Sequence, residues 1–256
     1  MKPNLTQPMR ARAIGRGFTL VELLVAVTIS LIITIVIAQL FLGSRQTYAT
    51  TDDVSRMQEN IRFAQQLLIR TVHVASYKSQ PNAVTGNVFS GGNAALAATS
   101  GAGTASDTIT VRYQGSGGGG GAAADGSILD CLGTRIDAGV MATNTFSIAA
   151  GANGSNALFC NGVEIVPDIV NMQVVFGEDT NADLTADRYV ALPDVTNINN
   201  VVSARIALLF QTPTTQAATI LDTKNYDLNG VVLGPFNDLR IRRVMNTTIN
   251  LRNRTP

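Results

Sequence analysis

The first third of the chain is dominated by an uninterrupted apolar segment that is followed by an amphipathic one. From Phe18 to Leu42 the sequence contains a single charged residue, Glu22, and about 20 apolar residues suffice for a helix to cross a bilayer. After Leu42, apolar residues recur at spacings of three and four, which is typical of one helix face. These residues are Val54, Met57, Ile61, Ala64, Leu68, Val72 and Ala75. We therefore expect a membrane-length helix over this segment and an amphipathic continuation over residues 43–80, with the helix ending near Tyr77.

A different pattern begins at Pro81, where the composition shifts to Gly, Ala, Ser, Thr and Asn. Runs rich in β-branched and aromatic residues predict strands between polar loops. The predicted strands are Thr108–Gln114, Thr145–Ile148, Asn171–Phe176, Val201–Gln211 and Val244–Leu251. We expect an α+β fold, in which the long N-terminal helix packs on a mostly antiparallel β domain formed by residues 81–256.

The formal net charge of +1 conceals an asymmetry between the N-terminus and the rest of the chain. Residues 1–17 carry four basic residues and no acidic one, namely Lys2, Arg10, Arg12 and Arg16. Basic residues before a membrane segment hold that end in the cytoplasm, so the β domain is expected in the periplasm. A secretory signal is the alternative, but its apolar core would run only about 7–15 residues before a small-residue cleavage site.

Glu22 is the residue of the apolar segment that most needs an explanation. A carboxylate within a bilayer costs on the order of 3 kcal/mol and normally signals function. The run Arg16–Leu24 places Gly17 directly before Phe18, and Glu22 is the fifth residue counted from Phe18. This run resembles the prepilin signature of type IV pilins and of secretion pseudopilins.

The resemblance implies that one bifunctional peptidase cleaves between Gly17 and Phe18 and N-methylates Phe18, so that residues 1–17 are a leader peptide. It also implies that Glu22 pairs with the new α-amine of a neighbouring subunit in a filament. At 4 Å and an effective dielectric constant near 20, such a pair is worth about 4 kcal/mol. A polar residue tolerated against a helix partner is the alternative.

The chain contains two cysteines, Cys131 and Cys160, in similar Leu-Asp-Cys-Leu-Gly and Leu-Phe-Cys-Asn-Gly settings. Disulfides persist outside the cytoplasm, so we expect these cysteines to be bridged; two free buried thiols are the alternative. Closing this loop would contribute roughly 3.5 kcal/mol on the chain-entropy model. With His73 as the single histidine, a zinc site is not expected.

An acidic segment, residues 177–187, places oxygen-bearing side chains at positions 1, 3, 5 and 9 of a loop of the calcium-binding type. These side chains are Asp179, Asn181, Asp183 and Asp187. Leu184 stands where glycine makes the turn, and Val190 replaces the bidentate glutamate. Calcium is therefore expected to bind weakly if it binds, and the alternative is a solvated hairpin between the strand at Met172–Phe176 and Arg188–Ala191.

The C-terminal run Arg240–Arg254 is basic and strand-like. It lacks the aromatic residues that stack on bases, so a closing strand with a solvated basic face is expected rather than a nucleic-acid interface. The Arg-Arg-Val sequence at Arg242, the following threonines and the Leu-Arg-Asn ending resemble the PilW family of minor pilins. The acidic segment before Arg188 resembles that family as well.

The resemblance implies a minor type IV pilin that the apolar helix holds in the inner membrane until it enters the extracellular pilus. It would prime assembly and lie in a complex at the tip. The implied partners are the prepilin peptidase, the major pilin, other minor pilins, the inner-membrane assembly platform and a tip adhesin.

Two other functions fit the same features. They are a J-like pseudopilin of type II secretion and a membrane-tethered adhesin that does not polymerise. A nucleophile elbow of the G-x-S-x-G type is absent from the sequence, and no other catalytic arrangement emerges, so an enzyme is not expected. No cofactor is expected apart from possible calcium.

The first prediction concerns the mature N-terminus. Because Gly17 directly precedes Phe18, mass spectrometry of cell-derived protein is expected to find N-methylated Phe18 as the first residue. An intact Met1, or a cut beyond residue 40, would contradict the prepilin interpretation.

Overall fold

The computed structural model describes residues 17–79, 88–89, 93–117 and 122–253. The leader residues Lys2, Arg10, Arg12 and Arg16 lie outside the described residues, as does Arg254. The chain divides into two compact units, residues 1–48 and 49–256. Helix α1, Leu20–His73, continues from the first unit into the second.

Within residues 17–48, the described chain is helical from Leu20 onward and its apolar side chains are exposed. Among the described residues, α1 is the one helix that is long and apolar enough to cross a membrane. It ends at His73, before the predicted Tyr77, and Ser76 then takes a positive φ of 67°. A serine in this left-handed conformation cannot continue a right-handed helix.

The second unit contains eleven strands in its described residues. They are β1 Leu96–Thr99, β2 Thr108–Gln114, β3 Met141–Ala150, β4 Asn156–Cys160, β5 Val163–Pro167, β6 Ile169–Glu178, β7 Arg188–Val190, β8 Val201–Gln211, β9 Tyr226–Leu228, β10 Val231–Leu233 and β11 Arg242–Asn250. One antiparallel sheet has the order β1-β2-β3-β4-β5, a second has the order β11-β8-β6-β7, and β9 and β10 form a separate hairpin.

The amphipathic part of α1 packs against both larger sheets in one hydrophobic core. Of the predicted stripe, five residues are buried, namely Met57, Ala64, Leu68, Val72 and Ala75. They join Phe146 of β3, Phe176 of β6 and Phe210 of β8 in the same cluster. Each large apolar side chain that is buried in this way contributes about 1.5–3 kcal/mol. The α+β prediction is confirmed.

Two hairpins escaped the sequence analysis although the chain carries their signal. Asn161 and Gly162 join β4 to β5 with φ angles of 50° and 80°, and Asn229 and Gly230 join β9 to β10 with φ angles of 54° and 96°. Asn-Gly is the dipeptide that two-residue hairpin turns favour, because both central residues need positive φ. The flanking strands have only three to five residues each, too few to show a clear alternation.

The closing strand is present as β11, but the prediction of a solvated basic face was wrong for Arg242. Its guanidinium is buried and forms ion pairs with Asp222 (3.0 Å) and Asp238 (2.6 Å). It also lies 3.9 Å above the ring of Phe236. A buried guanidinium needs such partners, because leaving it unpaired would cost several kcal/mol.

Cys131 and Cys160 form the predicted disulfide, with their Cα atoms 6.4 Å apart and a sequence separation of 29. Cys160 ends β4, and Cys131 lies in a loop that is held by side chains of β2 and β3. The Cys131 N–H donates to the side-chain oxygen of Asn144 (2.7 Å), and the Tyr113 hydroxyl donates to the carbonyl of Leu129 (2.7 Å).

The second prediction concerns this bridge. Replacing both cysteines by alanine is expected to lower the free energy of unfolding by about 3.5 kcal/mol, because the unfolded chain regains loop entropy. Chemical denaturation of the periplasmically expressed protein measures the change. Reductant should weaken the parent protein but leave the double variant unchanged, and two titratable thiols in the oxidised parent would contradict the bridge.

Candidate functional site

The start of α1 is closed by a reciprocal pair of side-chain hydrogen bonds. The Thr19 N–H donates to Glu22 Oε2 (3.0 Å), and the Glu22 N–H donates to Thr19 Oγ1 (3.2 Å). The Thr19 hydroxyl also donates to Glu22 Oε2 (3.0 Å). This is the capping box of a Thr-x-x-Glu sequence, which satisfies N–H groups that lack partners in the first helical turn.

The capping role of Glu22 was missed in the sequence analysis, although Thr19-x-x-Glu22 is its signal. The structure folds the carboxylate back over the first turn, so that it lies at the N-terminal end of the helix. A helix N-terminus carries about half a positive charge. The carboxylate therefore already offsets the partial positive charge of the helix N-terminus before any amine is placed near it.

Gly17 stands in open space at the predicted cleavage position. A Cβ added to this residue would meet no described atom within 4 Å. The described fold therefore does not itself require glycine here. A requirement for glycine would come from another protein that approaches the backbone closely.

The apolar side chains of residues 18–42 form an exposed surface along the helix. Phe18 is 87 % exposed, Leu31 is 60 % exposed and Leu42 is 66 % exposed. Soluble monomers rarely leave contiguous apolar patches of more than a few hundred Å² in water. This part of α1 therefore needs lipid or other apolar helices around it.

The acidic segment forms a closed hydrogen-bonded loop between β6 and β7. Asp179 accepts backbone N–H bonds from Asn181 (3.1 Å), Ala182 (2.7 Å) and Leu184 (2.8 Å). Leu184 takes the positive φ, 67°, that was expected of a glycine at this position. The turn is therefore formed without glycine, because the Asp179 carboxylate fixes the backbone around it.

The other predicted calcium ligands also have partners within the loop. Asp187 accepts from the N–H and the hydroxyl of Thr180, both at 2.7 Å. The side-chain amide of Asn181 donates to both Asp183 (3.2 Å) and Asp187 (3.3 Å). A hydrogen bond from the Thr185 side chain lowers the pKa of Asp183 below its usual range.

Across the part of the chain that the structure describes, no group of three or more His, Cys, Asp or Glu residues could hold a metal ion. The alternative interpretation, a hairpin between β6 and the strand that begins at Arg188, agrees with the observed pairing of β6 and β7. Calcium binding at this loop stays a prediction from the sequence.

Glu178 fastens the base of the loop, and the sequence analysis did not identify it. Its buried carboxylate accepts two bonds from Arg188 (2.7 and 3.1 Å), one from the Thr196 hydroxyl and one from the Asn197 N–H. The Arg188 bonds above all lower the pKa of Glu178 to about 2. The stabilisation from this group is present above its ordinary pKa and is lost as the pH falls towards 2.

Known proteins match two parts of the chain. The PilW family, described as type IV pilus-assembly protein W, matches residues 140–253. The prokaryotic N-terminal methylation motif matches residues 15–38. These segments contain the acidic loop with the C-terminal strand and the Gly17–Glu22 run, respectively.

A solved structure of a type IV-like pilin from Thermus thermophilus has a TM-score of 0.44 and 13% identity to this chain. The likeness covers 78% of this chain and 98% of the pilin. No curated protein matches the chain.

The third prediction separates a hydrogen-bonded loop from a calcium site. Asp179→Ala is expected to destabilise the protein by about 1–3 kcal/mol, because three backbone N–H groups lose their acceptor. The melting temperature should fall equally in calcium and in EDTA. A rise in the parent's melting temperature on adding calcium, lost in Asp183→Ala, would support the calcium site instead.

Proposed function

We propose that this chain, which the PilW family matches over residues 140–253, is a minor pilin of that family that primes pilus assembly and enters the pilus in a tip complex. The observation that carries this proposal is the exposed apolar helix, which follows directly after Gly17-Phe18-Thr19 and carries Glu22 in its first turn. Such a helix is suited to two successive surroundings, a bilayer and a bundle of similar helices.

The capping box gives Glu22 a physical role at this helix start. Cleavage after Gly17 would create a positive amine at Phe18, two residues before the helix begins at Leu20. The helix dipole already makes this end positive. An amine entering the same apolar surroundings therefore needs a counter-charge, and the Glu22 carboxylate is the acidic group that residues 18–42 provide.

The proposal places the chain in the inner membrane as a single-pass protein, with residues 1–17 in the cytoplasm and the β domain in the periplasm. A peptidase would remove the leader and methylate Phe18. The assembly platform would then add the mature chain to the major pilin and other minor pilins, and a tip adhesin could complete the complex.

The fourth prediction separates charge pairing from helix capping. Glu22→Gln keeps a side chain that a capping box accepts but removes the charge. Thr19→Val removes the capping hydroxyl and keeps the charge. Loss of a pair worth about 4 kcal/mol predicts at least a tenfold loss of Glu22→Gln protein from sheared pili. Thr19→Val protein should enter pili at near-normal levels.

Processing is the control in this experiment, because both variants should still show methylated Phe18 by mass spectrometry. Immunogold labelling of the parent should decorate pilus ends, and deletion of the chain should reduce the number of pili. If Glu22→Gln enters pili normally while Thr19→Val does not, Glu22 acts as a helix cap and the pairing role is wrong. Normal pilus number without the chain would contradict priming.

A further inference from the structure

The loop between β8 and β9, residues 212–225, contacts helix α1 close to the end of its apolar segment. Residues 17–49 are all exposed, and Thr50 is the first residue of the helix that is partly covered. The Thr50 hydroxyl donates to the carbonyl of Ala217 in this loop (3.0 Å). The β8–β9 loop therefore lies against the helix at the first covered residue after the apolar segment.

Two neighbouring apolar side chains, Ile220 and Leu221, form the apex of this loop. Ile220 is 80 % exposed, more than any other large apolar side chain in the described part of the second unit, and Leu221 is 52 % exposed. Scattered exposed apolar residues are common on protein surfaces, whereas adjacent ones favour an apolar partner. The loop contains no charged residue from Thr212 to Leu221, so covering the apex would not bury a charge.

The fold holds the apex in place on both sides. The Ala218 N–H donates to the Leu239 carbonyl (2.8 Å), and the Asp222 N–H donates to the Asp238 carbonyl (2.7 Å). The Asp222 carboxylate is buried on Arg242 (3.0 Å), so the acidic group next to the apex is not presented with it. Because the loop is already held in this form, a partner would not have to order it.

The helix residues just before Thr50 are typical of a membrane–water interface. The Arg45 guanidinium lies 4.5 Å from the centroid of the Phe41 ring, and Tyr48 is 75 % exposed. Tyrosine is enriched at membrane interfaces, and an arginine there covers apolar surface with its stem while its charge stays among the headgroups. These residues indicate that the bilayer surface lies between Phe41 and Tyr48.

The apex is within reach of this surface. Helix α1 is continuous from Leu42 to Thr50, and it rises about 12 Å over these residues. A headgroup layer is about 5–8 Å thick, and the chain from Ala217 to Ile220 can span about 11 Å. A tilt of the helix would bring the loop closer still. The apex can therefore contact the headgroup layer while Thr50 stays outside it.

We propose that Ile220 and Leu221 insert into the periplasmic surface of the inner membrane and hold the β domain on the lipid. This contact rests on the proposed anchoring of residues 18–42 in the bilayer and adds a second, reversible attachment beside it. Lipid is the occupant because Ala217 and Thr50 join the apex to the segment that enters the bilayer. The exposed Lys224 after the apex supplies a positive charge for lipid phosphates.

Tryptophan fluorescence in vesicles tests this contact, because the chain has no tryptophan of its own. Three full-length variants carry one reporter each, namely Ile220→Trp, Phe41→Trp and Leu132→Trp. Leu132 is 44 % exposed, and the backbone of its loop accepts a bond from Arg70 (3.2 Å). Because Arg70 lies about 30 Å along the helix from Thr50, Leu132→Trp is the matched control for an exposed apolar position remote from the lipid.

The vesicles contain phosphatidylethanolamine and phosphatidylglycerol, with or without bromine near the headgroup end of the acyl chains. Bromine quenches a tryptophan that it contacts. Ile220→Trp and Phe41→Trp should therefore lose fluorescence at least about twofold in brominated vesicles, because apolar side chains at an interface reach the start of the acyl chains. Leu132→Trp should not change. Thermal unfolding shows whether each variant is folded, and Leu221→Trp replaces Ile220→Trp if the latter is not.

A charge at the apex should abolish the contact. In the Leu221→Trp background, Ile220→Asp is expected to restore the fluorescence in brominated vesicles, because a carboxylate is costly to bring into lipid. Ile220→Val is the matched variant and should leave the quenching in place.

The controls separate this contact from the proposed function. Quenching of Phe41→Trp with equal fluorescence of Ile220→Trp and Leu132→Trp would overturn the contact and leave the membrane anchor standing. An unquenched Phe41→Trp would overturn both. If Ile220→Trp is shielded from aqueous iodide but not quenched by bromine, and the shielding grows with the protein-to-lipid ratio, a second copy of this chain covers the apex and the lipid contact is wrong.

Discussion

The apolar residues of α1 need two different surroundings, and the rest of the structure depends on how each need is met. In the second unit, Met57, Leu68 and Val72 are covered by the two sheets, which meet in the same hydrophobic cluster. In residues 18–42 the apolar side chains remain exposed. Because water is a poor solvent for such a surface, the chain depends on a bilayer or on other helices from the moment it is made.

The β domain has two polar features, the acidic loop and the edge of β11, that do not depend on how the apolar part of α1 is covered. Its acidic loop is closed by Asp179, which accepts N–H groups within the loop, and by Glu178, which accepts donors from as far along the chain as Asn197. These bonds fix the backbone of the loop. The backbone of β11 differs from that of the loop, because the N–H and C=O groups of Val244, Asn246 and Thr248 are not used in the β11–β8 ladder.

Features with a local cause could largely be predicted from the sequence. Strands β2 and β8 have the predicted bounds, because β2 alternates apolar and polar residues and β8 contains a continuous apolar run that is buried on both faces. The helix stripe was found for the same reason. The Thr19–Glu22 cap and the two Asn-Gly hairpins were equally local, and their signals were present but not used.

Contacts between residues that are distant in sequence could not be predicted from the sequence. Nothing near Arg242 in sequence indicates that Asp222, twenty residues earlier, will neutralise it in a buried position. The same holds for His73 and Asn250, which are 177 residues apart. The cysteines are the exception, because a chain with two cysteines leaves one possible pairing. The pairing of distant charges depends on how the sheets pack, and composition does not encode that.

The cap at Thr19 and Glu22 also fixes the position of the carboxylate relative to the helix axis. A glutamate that folds back onto its own first turn has a defined height and azimuth, whereas a free side chain would sweep through several rotamers. In an α-helix, moving the acid by one residue would displace its charge by about 1.5 Å along the axis and turn it by about 100°. In the pilus proposed above, each subunit would therefore present its charge at a set height along the helix and on a set side of it.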